Sequence, residues 1–206
     1  MYINARVYED LYLKNQPIES VEREVEKMRA ELKRLKYAME SPVNRDGNYS
    51  DLQSEQESIN ATREYLNCAL LYYAELKGDN SVLTEEERVA ATLRSLRMYI
   101  ERATLNMGGY VYVVDVLNGK VTAAKDGVIE TERECERSQL IAAIADLRIE
   151  EWREVYAPED YGCNLICPEK WTLTVDYGES MESRGYSGEG VYPYNFGALK
   201  RLLRIN

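Results

Sequence analysis

Apolar residues recur at Ile18, Val21, Val25, Met28, Leu32, Leu35 and Met39, in alternating steps of 3 and 4, and the positions between them are dense in Glu, Lys and Arg. That spacing is a heptad seam and predicts an amphipathic helix over 17–40. Asn15-Gln16-Pro17 starts it, with proline tolerated in the first turn, and Ser41-Pro42 ends it. A second stripe, Leu52, Ile59, Thr62, Leu66, Ala69, Tyr73 and Leu76, predicts a helix over 51–77. The polar link over 42–50, with Asp46-Gly47 as its turn signal, is short enough for an antiparallel hairpin. Gly78-Asp79-Asn80-Ser81 interrupts the pattern. A third helix opens at Thr84-Glu85-Glu86-Glu87, where the Thr84 and Glu87 side chains can each take the other's free amide in a capping box. Its stripe is Val89, Leu93, Leu96, Ile100 and Ala103. Residues 1–15 are mixed, with Val7, Leu11 and Leu13 available for packing. Residues 1–107 therefore read as an antiparallel three-helix bundle or a coiled-coil arm.

The period changes at the stretch from Met107 to Gly119. Gly108-Gly109 accepts positive φ and is expected to end the third helix. Tyr110 to Leu117 has a strand composition with both faces largely apolar, which predicts a central strand covered on both sides. Asn118-Gly119 suits a two-residue hairpin turn, with Lys120 to Lys125 as the return strand. Asp126-Gly127 offers a second tight turn into Val128-Ile129. Thr131 to Glu134 repeats the capping-box pattern and predicts a helix to about Leu147, whose apolar face continues through Ile149, Trp152 and Tyr156. After a loop over 157–170, Trp171, Leu173, Val175 and Tyr177 alternate as a strand, and Ser180 to Tyr186 is a plausible antiparallel partner. A short basic helix over 197–205 closes the chain, with Leu199, Leu202 and Leu203 inward. Residues 108–206 thus read ββ(β)αββα, an antiparallel sheet with helices on one face. The fold class is α+β, in two domains, 1–107 and 108–206.

Charge narrows the partners. The net charge is −10, from 36 acidic and 26 basic side chains. This argues against direct nucleic-acid binding, which rests on phosphate neutralisation, and against docking on an anionic membrane. Residues 130–160 hold ten acids and four arginines. They read either as a solvated helix face or as an acidic surface that meets a basic protein. Glu150, Glu151, Trp152, Glu154, Tyr156, Glu159 and Asp160 are the candidate partner-binding residues within this region. Seventeen tyrosines against one phenylalanine supply side chains with an apolar body and a polar tip, fit for the core or for an interface. No apolar run approaches a membrane span, and the N-terminus lacks a basic and apolar leader. Four cysteines without an export signal suit reduced thiols in the cytoplasm.

Two groups of segments carry a resemblance. One joins Ile18 through Leu35-Lys36 and Met39-Glu40-Ser41-Pro42 to Arg63-Glu64-Tyr65-Leu66-Asn67-Cys68-Ala69. The other is Trp152-Arg153-Glu154-Val155-Tyr156, Trp171 to Gly178, Gly185-Tyr186 and Tyr192-Pro193-Tyr194-Asn195-Phe196. Across these the chain resembles a group of uncharacterised proteins from anaerobic gut bacteria and their mobile elements. Tyr194 stands where that pattern has an acid. The resemblance implies a shared architecture and brings no activity or functional residue with it.

Histidine is absent, which removes the commonest general base and the commonest metal ligand. No cofactor or metal is expected. Cys163 and Cys167 form a close thiol pair, but Cys68 and Cys135 lie far off in sequence and lack zinc-site spacing. Cys135 lies near a predicted helix start, among Glu132, Glu134 and Glu136, which oppose a thiolate. Glu150, Glu151 and Glu154 beside aromatics are the residues for a carboxylate-dependent hydrolase. Gly185-x-x-Gly188-x-Gly190 lacks the lysine of a phosphate loop and reads as a flexible turn. The leading expectation is a non-catalytic interaction module, in one version a mobile-element inhibitor of a nucleic-acid-handling host protein. The alternatives are that hydrolase and a structural homodimer through helices 17–40 and 51–77.

Overall fold

The computed structural model describes residues 3–42, 49–78 and 81–205, without the side chains of 49–52. The expected turn at Asp46-Gly47, the inward side chain of Leu52 and the Asp79-Asn80 break lie outside the described residues. The chain is α+β and forms two compact units, 1–88 and 89–206. The division falls earlier than Gly108 because Ile100 and Ala103 belong to the core of the second unit, with Leu96 packed against it.

In the first unit α2 (Ile18–Glu40) and α3 (Tyr49–Lys77) form the hairpin the two stripes predict. They run antiparallel: the Tyr73 hydroxyl, late in α3, donates to Glu22, early in α2, at 2.6 Å. Val21, Val25 and Met28 meet Leu66, Ala69, Leu70 and Tyr73. The predicted face of α3 shifts slightly, since Leu70 is buried and Leu76 is exposed. Before α2, the mixed N-terminal stretch holds a further helix. Ala5–Tyr12 form α1, capped by Asn4, whose side chain accepts from the Val7 amide at 2.9 Å. Its Tyr8 ring stacks on Tyr65 with centroids 4.4 Å apart, and the Tyr8 hydroxyl donates to Glu24.

The helix α4 (Glu85–Leu96) opens with the predicted capping box, Thr84 N–H to Glu87 at 2.8 Å and Glu87 N–H to Thr84 at 3.2 Å. It is shorter than its stripe suggests. After a 3₁₀ turn at Arg97–Tyr99 the chain becomes the strand β1 (Arg102–Met107). Ala103 fits a helical step from Ile100, but Ala103, Leu105 and Met107 also alternate, and pairing on both edges decides for the strand.

Gly108-Gly109 therefore joins two strands rather than ending a helix. Both have positive φ, as a two-residue turn into β2 (Tyr110–Asp115) requires. The next connection is wider than the expected Asn118-Gly119 turn. It spans 116–119, and Asp115 holds it by accepting from the Asn118 amide at 2.9 Å. The strand β3 (Lys120–Lys125) then turns at Asp126-Gly127, both with positive φ, into β4 (Val128–Glu134). The helix expected from Thr131 is absent at that point. Thr131 and Glu134 belong to β4, and α5 (Arg137–Leu147) starts later. Downstream come β5 (Val155–Tyr156), β6 (Lys170–Asp176), β7 (Arg184–Glu189) and α6 (Phe196–Leu203).

The strands form one sheet in the order β4-β3-β2-β1-β6-β7-β5. It is mixed, not purely antiparallel, because the short β5 lies parallel to β7. Leu140, Ile144 and Leu147 of α5 and Phe196, Leu199 and Leu203 of α6 share a core with Ala103, Leu105, Val114, Trp171, Leu173 and Val175. Of the alternate positions of those strands, Asn106, Val111, Thr172 and Thr174 are exposed and Thr104 and Val113 half-buried, so β2 has one core face rather than two.

Candidate interaction surface

The seven residues singled out between 150 and 160 do not form one face. Glu150 and Glu151 sit in a 3₁₀ turn that follows Arg148, whose left-handed backbone ends α5. Their side chains are 8% and 9% exposed. Arg94 reaches Glu150 at 3.2 Å, Arg148 reaches Glu151 at 3.4 Å, and the Tyr194 hydroxyl donates to Glu151 at 3.2 Å. Carboxylates this far from water need such partners, because an unpaired buried charge is strongly destabilising.

Trp152 and Tyr156 are core residues. The Trp152 ring meets Trp171 and Tyr186 edge-on, and its indole N–H donates to Asn195 at 2.8 Å. The Tyr156 ring packs against Trp171, and its hydroxyl accepts from the Arg153 amide at 3.0 Å. Glu154, Glu159 and Asp160 are exposed. Of these, Glu154 pairs with Arg184 at 2.7 Å and Asp160 with Arg153 at 3.3 Å. Among the described residues eight tyrosines are buried, Tyr156 and Tyr186 among them, while Tyr12, Tyr37 and Tyr99 are exposed, so the tyrosine surplus is shared between core and surface.

Two buried tyrosines of the second unit, Tyr177 and Tyr186, are held above the ordinary tyrosine value. Burial pushes Tyr177 up to about 12, and nearby Tyr186 and Glu150 add to this while Arg184 opposes it. Tyr186 is also raised, first by its burial, then by Glu154 and Glu150, again against Arg184.

The glycine run is not a flexible turn: Gly185 and Gly188 lie within β7, and Gly188 has no room for a side chain. An added side-chain carbon at Gly188 would stand 2.5 Å from Trp171 Nε1 and 2.6 Å from the Val191 carbonyl. Those two groups bond to each other at 2.8 Å over the bare backbone. Cys163 is half-buried and Cys167 exposed, both as free thiols. Among the described residues no three His, Cys, Asp or Glu side chains are grouped to hold a metal ion, and no helix is long and apolar enough to cross a membrane. An open depression of about 360 Å³ lies where β1, β2 and β6 meet, lined by Asn106, Gly108, Gly109, Tyr110, Lys170 and Thr172 among others.

The acids that do face solvent together are elsewhere. Glu130, Glu132 and Glu134 lie on β4, all exposed, with Glu136 just beyond. Lys120 of the neighbouring strand pairs with Glu132 at 3.0 Å. The sequence carried a signal for this placement. A strand returning from the Asp126-Gly127 turn must match Lys120–Lys125 in length to satisfy its amides, which takes it through Glu134. The capping-box pattern obscured it.

No protein-family model, curated protein or solved structure matches the chain.

Proposed function

We propose that the chain is a non-catalytic interaction module that binds a basic protein in the cytoplasm. The observation that carries this reading is the row of exposed glutamates on the outer strand of the sheet, Glu130, Glu132 and Glu134, followed by Glu136. Side chains two apart on a strand share a face, so Glu132 and Glu134 present paired negative charge about 6.8 Å apart. With a net charge of −10 behind it, this edge attracts cations at range. The resemblance to mobile-element proteins extends the reading to an inhibitor of a nucleic-acid-handling host protein, with carboxylates standing where phosphates otherwise bind. The carboxylates suited to a hydrolase favour it less, since Glu150 and Glu151 are held by Arg94 and Arg148 within the fold.

A second reading is a coiled-coil homodimer through helices 17–40 and 51–77, favoured by Tyr37 and Leu71, which are exposed on α2 and α3. A monomer mass at micromolar concentration ends that reading.

The test of the first is capture from host lysate at low and high salt, with each captured protein then purified and rebound. Wild type should retain basic, nucleic-acid-binding proteins, release them as salt rises, and lose them to competing duplex DNA. The combined Glu130→Gln, Glu132→Gln, Glu134→Gln variant should retain far less. Equal capture by the variant, or capture indifferent to salt, refutes it.

A further inference from the structure

We infer that the outer edge of β4 takes up an extended basic segment of the partner as an additional strand of the sheet. This rests on the interaction reading above and adds the mode of binding. β4 ends the strand order and pairs with β3 on one side. Its backbone phase is fixed at the far end. The Cys135 amide donates inward, to the Gly119 carbonyl, at 2.7 Å. Inward and outward backbone groups alternate along an antiparallel strand, so the amides and carbonyls of Glu134 and Glu132 point away from β3. The hairpin end agrees. The two-residue turn makes Lys125 and Val128 a bonded pair, and the register shift opposite Ala123/Ala124 absorbs one residue at Glu130. The outward groups of Glu132 and Glu134 are a template for strand addition.

The side chains say which strand fits. Two copies of this edge would set glutamate against glutamate, which is unfavourable directly across a ladder. A strand with Lys or Arg at alternate positions instead meets Glu134 directly and shares Glu132 with Lys120. Guarding the edge against aggregation would call for charge along its whole length, but β4 begins with Val128 and Ile129, which are 66% and 58% exposed. An apolar pair followed by alternating acids is a selective edge. The partner segment is therefore cationic, with apolar residues where it passes Val128 and Ile129.

The experiment uses the full chain and a peptide of about eight residues alternating Lys and Val, the scale of a strand-addition ligand. Controls are the Glu–Val counterpart and a Lys–Val peptide with a central proline. The Lys–Val peptide should bind and slow amide exchange at Glu132 and Glu134 by about tenfold or more, with little change at Thr131 and Arg133, which already bond to β3. The Glu–Val peptide should not bind, and the proline peptide should bind at least about fivefold more weakly. Glu132→Pro removes an outward amide that β3 does not use, so it should fold normally and lose the peptide, while Glu132→Gln keeps most binding. Equal binding of both lysine peptides with free exchange at Glu132 and Glu134 overturns strand addition and leaves a purely electrostatic surface. So does lysate capture through the β4 glutamates without any Lys–Val binding. Failure of both capture and peptide binding overturns the interaction reading itself.

Discussion

Arg29 grips Glu87 with two bonds, Nε to Oε1 at 2.9 Å and Nη2 to Oε2 at 2.6 Å, and the same guanidinium donates to the Val82 carbonyl at 2.8 Å. Glu87 also accepts from the Thr84 amide in the capping box that opens α4. One carboxylate therefore serves the helix start and ties it to α2. Burial pushes the Glu87 carboxyl up, but Arg29 and Thr84 outweigh it, so it lies below the usual glutamate range. A depressed carboxyl contributes stability that is complete above its unfolded value and is lost as pH falls through its folded value. Arg29→Ala or Glu87→Gln should lower stability by about 1–2 kcal/mol at neutral pH, since the pair is only partly exposed. Denaturant melts at stepped pH check this. Glu87→Gln should approach wild type in strongly acidic solution, where the wild-type carboxyl is protonated, whereas Arg29→Ala should keep a deficit there because it also lacks the bond to the Val82 carbonyl.

Gly188→Ala should destabilise the second unit by about 1–3 kcal/mol, the range for overpacking. The added methyl meets both ends of the Trp171–Val191 bond and neither can withdraw, one being backbone and the other a ring packed by Tyr156, Tyr192 and Phe196. Tryptophan emission should shift with the loss of stability. Gly185→Ala, with nothing within 4 Å of an added carbon, is the control and should be near neutral.

Asn195→Ala should cost about 1–3 kcal/mol by leaving two buried groups without partners. Asn195 accepts from the Trp152 indole and donates to the Leu147 carbonyl, linking the end of α5 to the start of α6. Thermal unfolding measures the loss. In a Trp152→Phe background the same substitution should cost less, because the indole donor it strands is already gone.

Alkaline unfolding should be steep. Tyr177 is raised to about 12 by burial and its neighbours. For an acid whose folded value is raised, stability is complete below the unfolded value and is lost as pH climbs through the folded one. The window runs from about 10, where an exposed tyrosine ionises, upward. Tyr177→Phe should flatten the fall in that window and leave neutral stability nearly unchanged. Tyrosinate absorbance followed beside circular dichroism checks both.

The legible parts of this chain are those where one periodic signal faced no rival. The stripe Val21, Val25, Met28 is buried as its spacing requires, and Thr84 with Glu87 caps α4. Trp171, Leu173 and Val175 alternate inward on β6. Misread segments had two fits. Ala103 continues a helical stripe and also begins a strand alternation, while Thr131 to Glu134 matches a capping box and also a strand of alternating side chains. Glu150 and Glu151 failed differently. Composition marked them as charged, but their burial depends on Arg94, distant in sequence and delivered by the fold.

Local pattern alone thus settled the helical hairpin, the Asp126-Gly127 turn and an α+β second half, because each rests on bonds and apolar contacts between near neighbours or on strict side-chain alternation. Tertiary structure decided the rest. It made Arg102–Met107 a strand by supplying a partner on each edge, carried Glu130 to Glu134 to the rim of the sheet, and drew Glu150 and Glu151 inward onto arginines. A residue's charge is written in the chain, but whether that charge meets water or a counter-charge depends on what the fold brings beside it.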